Sequence, residues 1–447
     1  MTSGATFNNQ AGAVLDIRSD ADIEYFGGLM PTITNLGQVL KSGGQDTSFI
    51  DVGLRFDNVG TVAVQSGTLS IRGTGASTGH IEVASGATLE ISGNPSHSLG
   101  AGTTQGGAGM WRVPGGTVVI DDPVALMPAS FQVSAGFVEA NGDVTTFMLT
   151  LSGGAIGGDG QVTATSCLDW DGGTLQGNGV TSIPAGGTLT ISGPRNKTRS
   201  GGTLEVEGVT TFGGAGPLVL SQGAELNVVP SGTFVVQTDA GFGFLSGAPA
   251  TVNNAGTFIN AGSAGVTTFA PGVSVVNTGS VQVQTGVLAF NGGFAQNGGN
   301  TQLLGGGISL NAGSLQVLAG TLGGSGVING SGLMAGTLAA GLSPGALEFT
   351  ANYEQTGDGV FNVEIGGVVP GVEYDVLVVG GQATLAGTIN VSLIHGFSPQ
   401  SGDSFEIMTF GSRAGGFANY TGLDVGGGVQ LVPSFSATGL TLTAVQP

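Results

Sequence analysis

The sequence predicts an all-β fold, a right-handed parallel β-helix (β-solenoid) with a C-terminal β-rich capping region. Three observations predict it. Glycine supplies 88 of the 447 residues while only 9% of residues are charged. Short runs of alternating apolar residues are separated by glycine-bearing turns, and one set of positions recurs at a constant offset of 219 residues. Such self-similarity marks an architecture in which one coil stacks on the next.

The composition excludes several alternatives. Hydrophobic residues make up 40% of the chain and mean hydropathy is +0.31, whereas chains that stay unfolded are poor in apolar residues and rich in charge. Collagen is excluded because the glycines keep no three-residue period and the 16 prolines are too few. Nine Lys and Arg against 29 Asp and Glu give a net charge of −20, which repels nucleic-acid phosphates and offers no basic patch to an anionic membrane surface. One cysteine, Cys167, precludes an intrachain disulfide and a cysteine-cluster metal site. The opening MTSGATFNNQ has neither a basic nor an apolar signal region, and no apolar run is long enough for a membrane span. Repeat-like sequence begins within the first few residues, so we expect a portion of a longer exported polypeptide, with no membrane insertion within this chain.

The strands come first in the chain as Thr61-Val62-Ala63-Val64, Thr68-Leu69-Ser70-Ile71 and Thr88-Leu89-Glu90-Ile91, later as Thr188-Leu189-Thr190-Ile191, Thr203-Leu204-Glu205-Val206 and Val281-Gln282-Val283. Period-two alternation puts their apolar residues on one face. Between them lie Gln65-Ser66-Gly67, Ala84-Ser85-Gly86, Ala185-Gly186-Gly187 and Gln284-Thr285-Gly286, where glycine takes a positive φ without strain. Asn35, Asn58, Val62, Val64, Gly67 and Leu69 return as Asn254, Asn277, Val281, Val283, Gly286 and Leu288. We therefore expect a solenoid over residues 1–348 containing two related modules, about 1–175 and 250–345. With roughly 20–25 residues per coil and about 4.8 Å between coils, the shaft would hold about 15 coils and reach about 70 Å. Aromatic residues at 6% and glycines inside strands argue against a sandwich or barrel. The four asparagines stand in Asn-x-Gly contexts and read as turn residues whose amides bond backbone.

From about Phe349 the strands lengthen and lose glycine, as in Val360-Phe361-Asn362-Val363-Glu364-Ile365, Thr388-Ile389-Asn390-Val391-Ser392-Leu393 and Phe405-Glu406-Ile407-Met408-Thr409-Phe410. Residues 349–447 are expected to form the cap, because the last coil of a solenoid otherwise exposes unpaired N–H and C=O groups.

The run Phe56-Asp57-Asn58-Val59-Gly60-Thr61-Val62-Ala63-Val64-Gln65-Ser66-Gly67-Thr68-Leu69-Ser70-Ile71, followed by Ala84-Ser85-Gly86-Ala87-Thr88-Leu89, resembles the repeats of large bacterial surface proteins, the adhesin-like and autotransporter-passenger-like β-helix proteins. Gly336-Thr337-Leu338, Leu342-Ser343-Pro344-Gly345, Asn352-Tyr353 and Tyr374-Asp375-Val376-Leu377 look like the end of such a passenger. The resemblance spans nearly the whole chain and implies an extracellular location at the bacterial cell surface. Its motifs encode turns and strand edges, so it implies a fold more than a ligand. Nothing after Leu442-Thr443-Ala444-Val445 provides the strands of a membrane barrel.

Two functions follow as expectations. The first is a structural or adhesive module whose rigid rod contacts glycan, matrix or cells. The second is a polysaccharide lyase or glycoside hydrolase on a β-helix scaffold. For the second, Asp169-Trp170-Asp171 places two carboxylates on one side of a strand with an indole that could stack on a sugar, and paired carboxylates are what glycoside hydrolysis requires. Pro194-Arg195-Asn196-Lys197-Thr198-Arg199 is the one basic cluster. Read as a protruding loop, it offers Arg195, Lys197 and Arg199 to an anionic sugar and Lys197 as a base. The ordinary readings are solvated acids and a solvated loop. No cofactor is required. Calcium is conceivable at Asp16, Asp20, Asp22 and Glu24 or at Asp121 and Asp122, but their spacing matches no calcium loop. His80, His97 and His395 lack metal-ligand spacing, and Cys167 reads as a small buried apolar residue.

The capping expectation has a direct check. Deleting residues 349–447 should lower the melting temperature or drive association, measured by scanning calorimetry and light scattering. A truncated chain that stays monomeric with an unchanged transition would count against the capping role.

Overall fold

Four-residue strands punctuated by glycine turns can each pair with the equivalent strand one coil later. The computed structural model, which describes residues 1–93, 96–121, 124–125, 130–262 and 264–446, shows this arrangement. Among the described residues there is no helix. The chain divides into two units, Met1–Leu226 and Asn227–Pro447, and each is a β-solenoid with three sheet faces.

In the first unit one face climbs in parallel from Thr6–Asn9 through Thr32–Asn35, Arg55–Asn58 and Ser96–Leu99 to Leu218–Ser221. A second runs from Val14–Ile17 through Gln38–Lys41, Thr61–Val64 and His80–Val83 to Thr104–Gly106. The third runs from Thr47–Ile50 through Thr68–Ile71 and Thr88–Ile91 to Val209–Phe212. In the second unit one face includes Thr233–Val236, Thr257–Asn260, Ser280–Val283, Val360–Ile365, Thr388–Leu393 and Asn419–Thr421. Parallel pairing thus continues well past Phe349. Apart from isolated bridges such as Gly324 with Gly341, antiparallel pairing among the described strands begins where Ser404–Gly415 meets Gly439–Val445, which in turn pairs with Gln430–Phe435.

The register lays like on like. Leu69 sits under Leu89, and Ile71 lies between Ile50 and Ile91, all inward, while the foot of the leucine column is the buried Ser48. In the second unit the inward ladders carry phenylalanines. Phe234 stacks on Phe258 with ring centroids 5.4 Å apart, and Phe242 on Phe269 at 4.3 Å. Burying each such side chain stabilises the fold by roughly 1.5–3 kcal/mol, with aromatic pairs adding about 0.5–1.5 kcal/mol.

Asparagine also enters the core. Asn9, Asn35, Asn58, Asn254 and Asn277 are buried at the inward-facing ends of strands. Asn9 Nδ2 donates to Asn35 Oδ1 at 2.7 Å, Asn35 Nδ2 to Asn58 Oδ1 at 2.7 Å, and Asn58 Nδ2 to Ser77 Oγ at 3.0 Å. Asn254 Nδ2 donates to Asn277 Oδ1 at 2.8 Å and to the Ser280 carbonyl at 2.9 Å, as Asn35 does to the Thr61 carbonyl at 2.9 Å. These residues are structural, as expected, yet they link coils and stand in strands instead of merely bonding a turn. The glycine two positions on is needed because a Cβ at Gly60 or Gly279 would strike the carbonyl of Gly37 or Gly256 one coil below. Gly67 and Gly286, the other repeated pair, have φ of +60° and +61°.

A buried amide left unpaired is costly, so the ladder should resist interruption. Asn58→Ala removes both the acceptor of Asn35 and the donor to Ser77 and should destabilise the first unit by about 2–3 kcal/mol, read by urea denaturation. Asn390→Ala, at an exposed outward position, should cost under about 0.5 kcal/mol. Equal losses would remove the special standing of the inward ladder.

Candidate functional site

The residues singled out from sequence separate into inward and outward positions along their strands. Asp169 and Asp171 are exposed on the same side of the chain, whereas Trp170 between them is wholly buried. An indole with no accessible surface cannot stack on a sugar, so that expectation is corrected. The basic run is likewise not a protruding loop. Lys197–Ser200 is a strand whose register lies between Gly173–Gln176 and Leu218–Ser221, placing Lys197 between Gly173 and Leu218 and Arg199 between Leu175 and Leu220. Both side chains therefore enter the core, at 0% and 2% exposure.

Lys197 Nζ donates to the carbonyls of Ser192 at 2.8 Å and Gly193 at 3.2 Å. Burial pushes its ammonium pKa down, while the charge of Asp171 pulls it up. Arg199 donates through Nη2 to the Gly179 carbonyl, and burial lowers its guanidinium pKa to about 10. Only Arg195 of the three is exposed, with Nη1 donating to the Ser152 carbonyl at 2.9 Å. Asp171 and the turn before Lys197 are thus neighbours, but the ammonium expected to act as a base is engaged inside a coil corner. Lys41 repeats the device, with Nζ held by Ser19, Gly43, Ser48 and Asp20 at 3.0–3.2 Å.

The acids near the first coils also hold backbone. Asp20 accepts from the Asp46 N–H at 3.1 Å and Asp22 from the Phe49 N–H at 2.9 Å, while Asp16 pairs with Arg18 at 2.7 Å. Asp121 is exposed and Asp122 lies outside the described residues. Among the described residues no three His, Cys, Asp or Glu side chains gather as a metal cage. His97 is buried beside Gly75 and Val118, and burial lowers its imidazole pKa to about 4. Cys167 is only partly buried, contrary to the buried-residue reading.

A different place offers a built hollow. In the second unit the outward column Gln302, Gly323, Ala339, Asn362, Asn390, Thr421 is set by one parallel register. Gly323 and Ala339 project nothing beyond a methyl group, so two successive coils are recessed between the longer Gln302 and Asn362. Three coil steps, about 14 Å, separate these ends. The hollow measures about 560 Å³ and is also lined by Asn300, Thr321, Ser343, Glu364, Asp375 and Ser392. This lies within the range of pockets that bind small ligands.

Its far wall is a ladder of outward amides. Asn390 Nδ2 donates to Asn362 Oδ1 at 3.2 Å, and Thr421 Oγ1 donates to Asn390 Oδ1 at 2.8 Å. This leaves Asn362 Nδ2 and the Gln302 amide without a partner among the described residues. The side wall is the turn Gly341–Ser343, tied to the floor by reciprocal backbone bonds between Gly324 and Gly341 at 3.1 and 2.8 Å. Asp375, 1% exposed, staples wall to strand: Oδ1 accepts the Gly345 N–H and Oδ2 the Glu364 N–H, both at 2.9 Å. Burial pushes the Asp375 carboxyl up to about 7; the two N–H donors oppose that rise and the charge of Glu364 adds to it.

The sequence did contain a signal for this place. Asn362-Val363-Glu364 and Asn390-Val391-Ser392 repeat a polar, valine, polar pattern at matching strand positions, and Asp375 stands in the Tyr374-Asp375-Val376-Leu377 run. Their convergence with Gln302 required the coil register. No protein-family model matches the chain, and no curated protein sequence matches it. Among the described residues no helix is long and apolar enough to cross a membrane.

The staple predicts a pH effect. The Asp375 carboxyl titrates higher in the folded chain than its ordinary value of 3.8, so its contribution to stability is present below about pH 4 and lost as pH rises through about 7. Asp375→Asn is neutral throughout. The melting-temperature advantage of the native chain over Asp375→Asn should therefore shrink from pH 4 to pH 8, by on the order of 5 °C, measured by calorimetry. An advantage that grows with pH would contradict this assignment.

Proposed function

We propose that the protein is a rigid β-solenoid scaffold that holds a glycan chain in the Gln302–Asn390 hollow, as a binding module of the bacterial cell surface. The observation that carries this reading is the hollow itself: free amide and hydroxyl groups line a recess that two small outward residues, Gly323 and Ala339, open in an otherwise regular face. Amides, hydroxyls and carboxylates are the groups that exchange hydrogen bonds with sugar hydroxyls. Mounted on strands, they are positioned before the ligand arrives, which reduces the entropy cost of binding. The scaffold, low in charge and with a single cysteine, suits an exported chain. Its resemblance to surface β-helix repeats supports the same placement.

A hydrolytic reading has one specific support, the pairing of Glu364 with Asp375, whose raised pKa is a property of general acids. Against it, both Asp375 oxygens accept backbone N–H bonds, which fits a positioning role better than proton transfer to a ligand. Binding without cleavage is therefore the reading we adopt.

A glycan-array screen followed by titration calorimetry tests it. At least one oligosaccharide class should bind, and Gln302→Ala and Asn362→Ala should each weaken it by about tenfold, the loss of a hydrogen bond of about 1.4 kcal/mol. No new reducing ends should form over hours of incubation. Failure of every glycan to bind, or binding indifferent to both substitutions, would end the proposal.

A further inference from the structure

Within the glycan reading, the charge pattern of the hollow narrows the ligand class. The groups lining it include two carboxyl side chains, Glu364 and Asp375, and no Lys, Arg or His. Asp375 is fully engaged, both oxygens being held by the backbone of Gly345 and Glu364. Glu364 differs. It is half-buried on an outward strand position, its carboxylate has no partner among the described residues, and the next coil places Ser392 directly beside it. A carboxylate without a cation can accept charge-assisted hydrogen bonds from a cationic ligand. The whole chain, at −20, supplies no compensating field.

We propose that Glu364 makes this hollow selective for amino sugars, glycans with free ammonium groups. An anionic polysaccharide would bring like charge against Glu364, and a neutral one would leave Glu364 without a cation. An ammonium has three N–H donors, enough to bond the Glu364 carboxylate and a hydroxyl such as Ser392 or Ser343 together, while the ring hydroxyls meet the Gln302 and Asn362 amides. A charge-assisted hydrogen bond of this kind is roughly twice as strong as a neutral one. The inference rests on the hollow being a glycan site and adds the sign of the ligand.

The test uses the full chain and four probes in titration calorimetry at pH 6: a glucosamine oligosaccharide, its N-acetylated counterpart, a glucose oligosaccharide of the same linkage and an oligogalacturonate. The glucosamine oligomer should bind at least tenfold more tightly than the neutral pair, and oligogalacturonate should not bind. Glu364→Gln should abolish the preference for the amino oligomer over the neutral pair; the substitution keeps the size of a partly buried side chain, and its circular dichroism and melting curve establish that it folds. Equal affinity for the amino and neutral oligomers would overturn the amino-sugar selectivity while leaving the glycan site standing. A preference that survives Glu364→Gln would be the general attraction of an acidic protein for cations and would also overturn it. No binding of any probe, neutral ones included, would instead remove the underlying glycan reading.

Discussion

The backbone ladder between equivalent strands of successive coils is the constraint from which the rest of each unit follows. Every strand is too short to be stable alone, and its N–H and C=O groups find partners only one coil above and one below. That pairing fixes register, and register places each side chain on its counterpart. Apolar residues then form columns such as Ile50, Ile71 and Ile91 in the first unit and Phe242, Phe269 and Phe290 in the second. The same stacking lets a polar residue into the core where its polar groups find partners, either along the column or in the backbone of a turn. An amide has a donor and an acceptor, so a column of asparagines satisfies itself link by link, as Asn9, Asn35 and Asn58 do.

Buried cations follow a related logic. Lys41 and Lys197 lie at coil corners, where the turn directs carbonyl groups inward, and the three donors of one ammonium can bond several of them. An inward lysine therefore ties a turn to the coil it belongs to. This explains why a basic sequence cluster in an acidic protein contributes to the interior of the first unit more than to its surface.

The hollow in the second unit arises from an interruption of the outward columns. A regular column of long side chains would give a flat face. Substituting glycine and alanine at two consecutive coils leaves a recess whose walls are the next long residues on either side, Gln302 and Asn362. Asp375 keeps the recess in shape by holding Gly345 and Glu364 at once, and the backbone bonds it makes leave Glu364 as the carboxylate free to meet a ligand. Shape and charge thus come from separate residues.

The sequence by itself determined the fold class, because period-two alternation, glycine turns and the 219-residue recurrence are all local or self-referential signals. It also identified Asn35, Asn58, Asn254 and Asn277 as structural. It did not determine which face a polar residue uses. In Lys197-Thr198-Arg199 the charged residues alternate just as apolar ones would, and only pairing with Gly173–Gln176 and Leu218–Ser221 directs them inward. Trp170 is misread for the same reason: a strand flanked by two aspartates looks solvated until its neighbours show that the odd and even positions face opposite environments. The hollow was least legible, since Gln302, Ala339, Asn362 and Asn390 are far apart in the chain and come together only when coil lengths are known. Those lengths vary, with stacked partners 26, 23 and 19 residues apart along the first asparagine ladder. Turns absorb that variation at little cost, so the sequence carries no fixed ruler from which the outward columns could be assembled, and the tertiary pairing alone decides them.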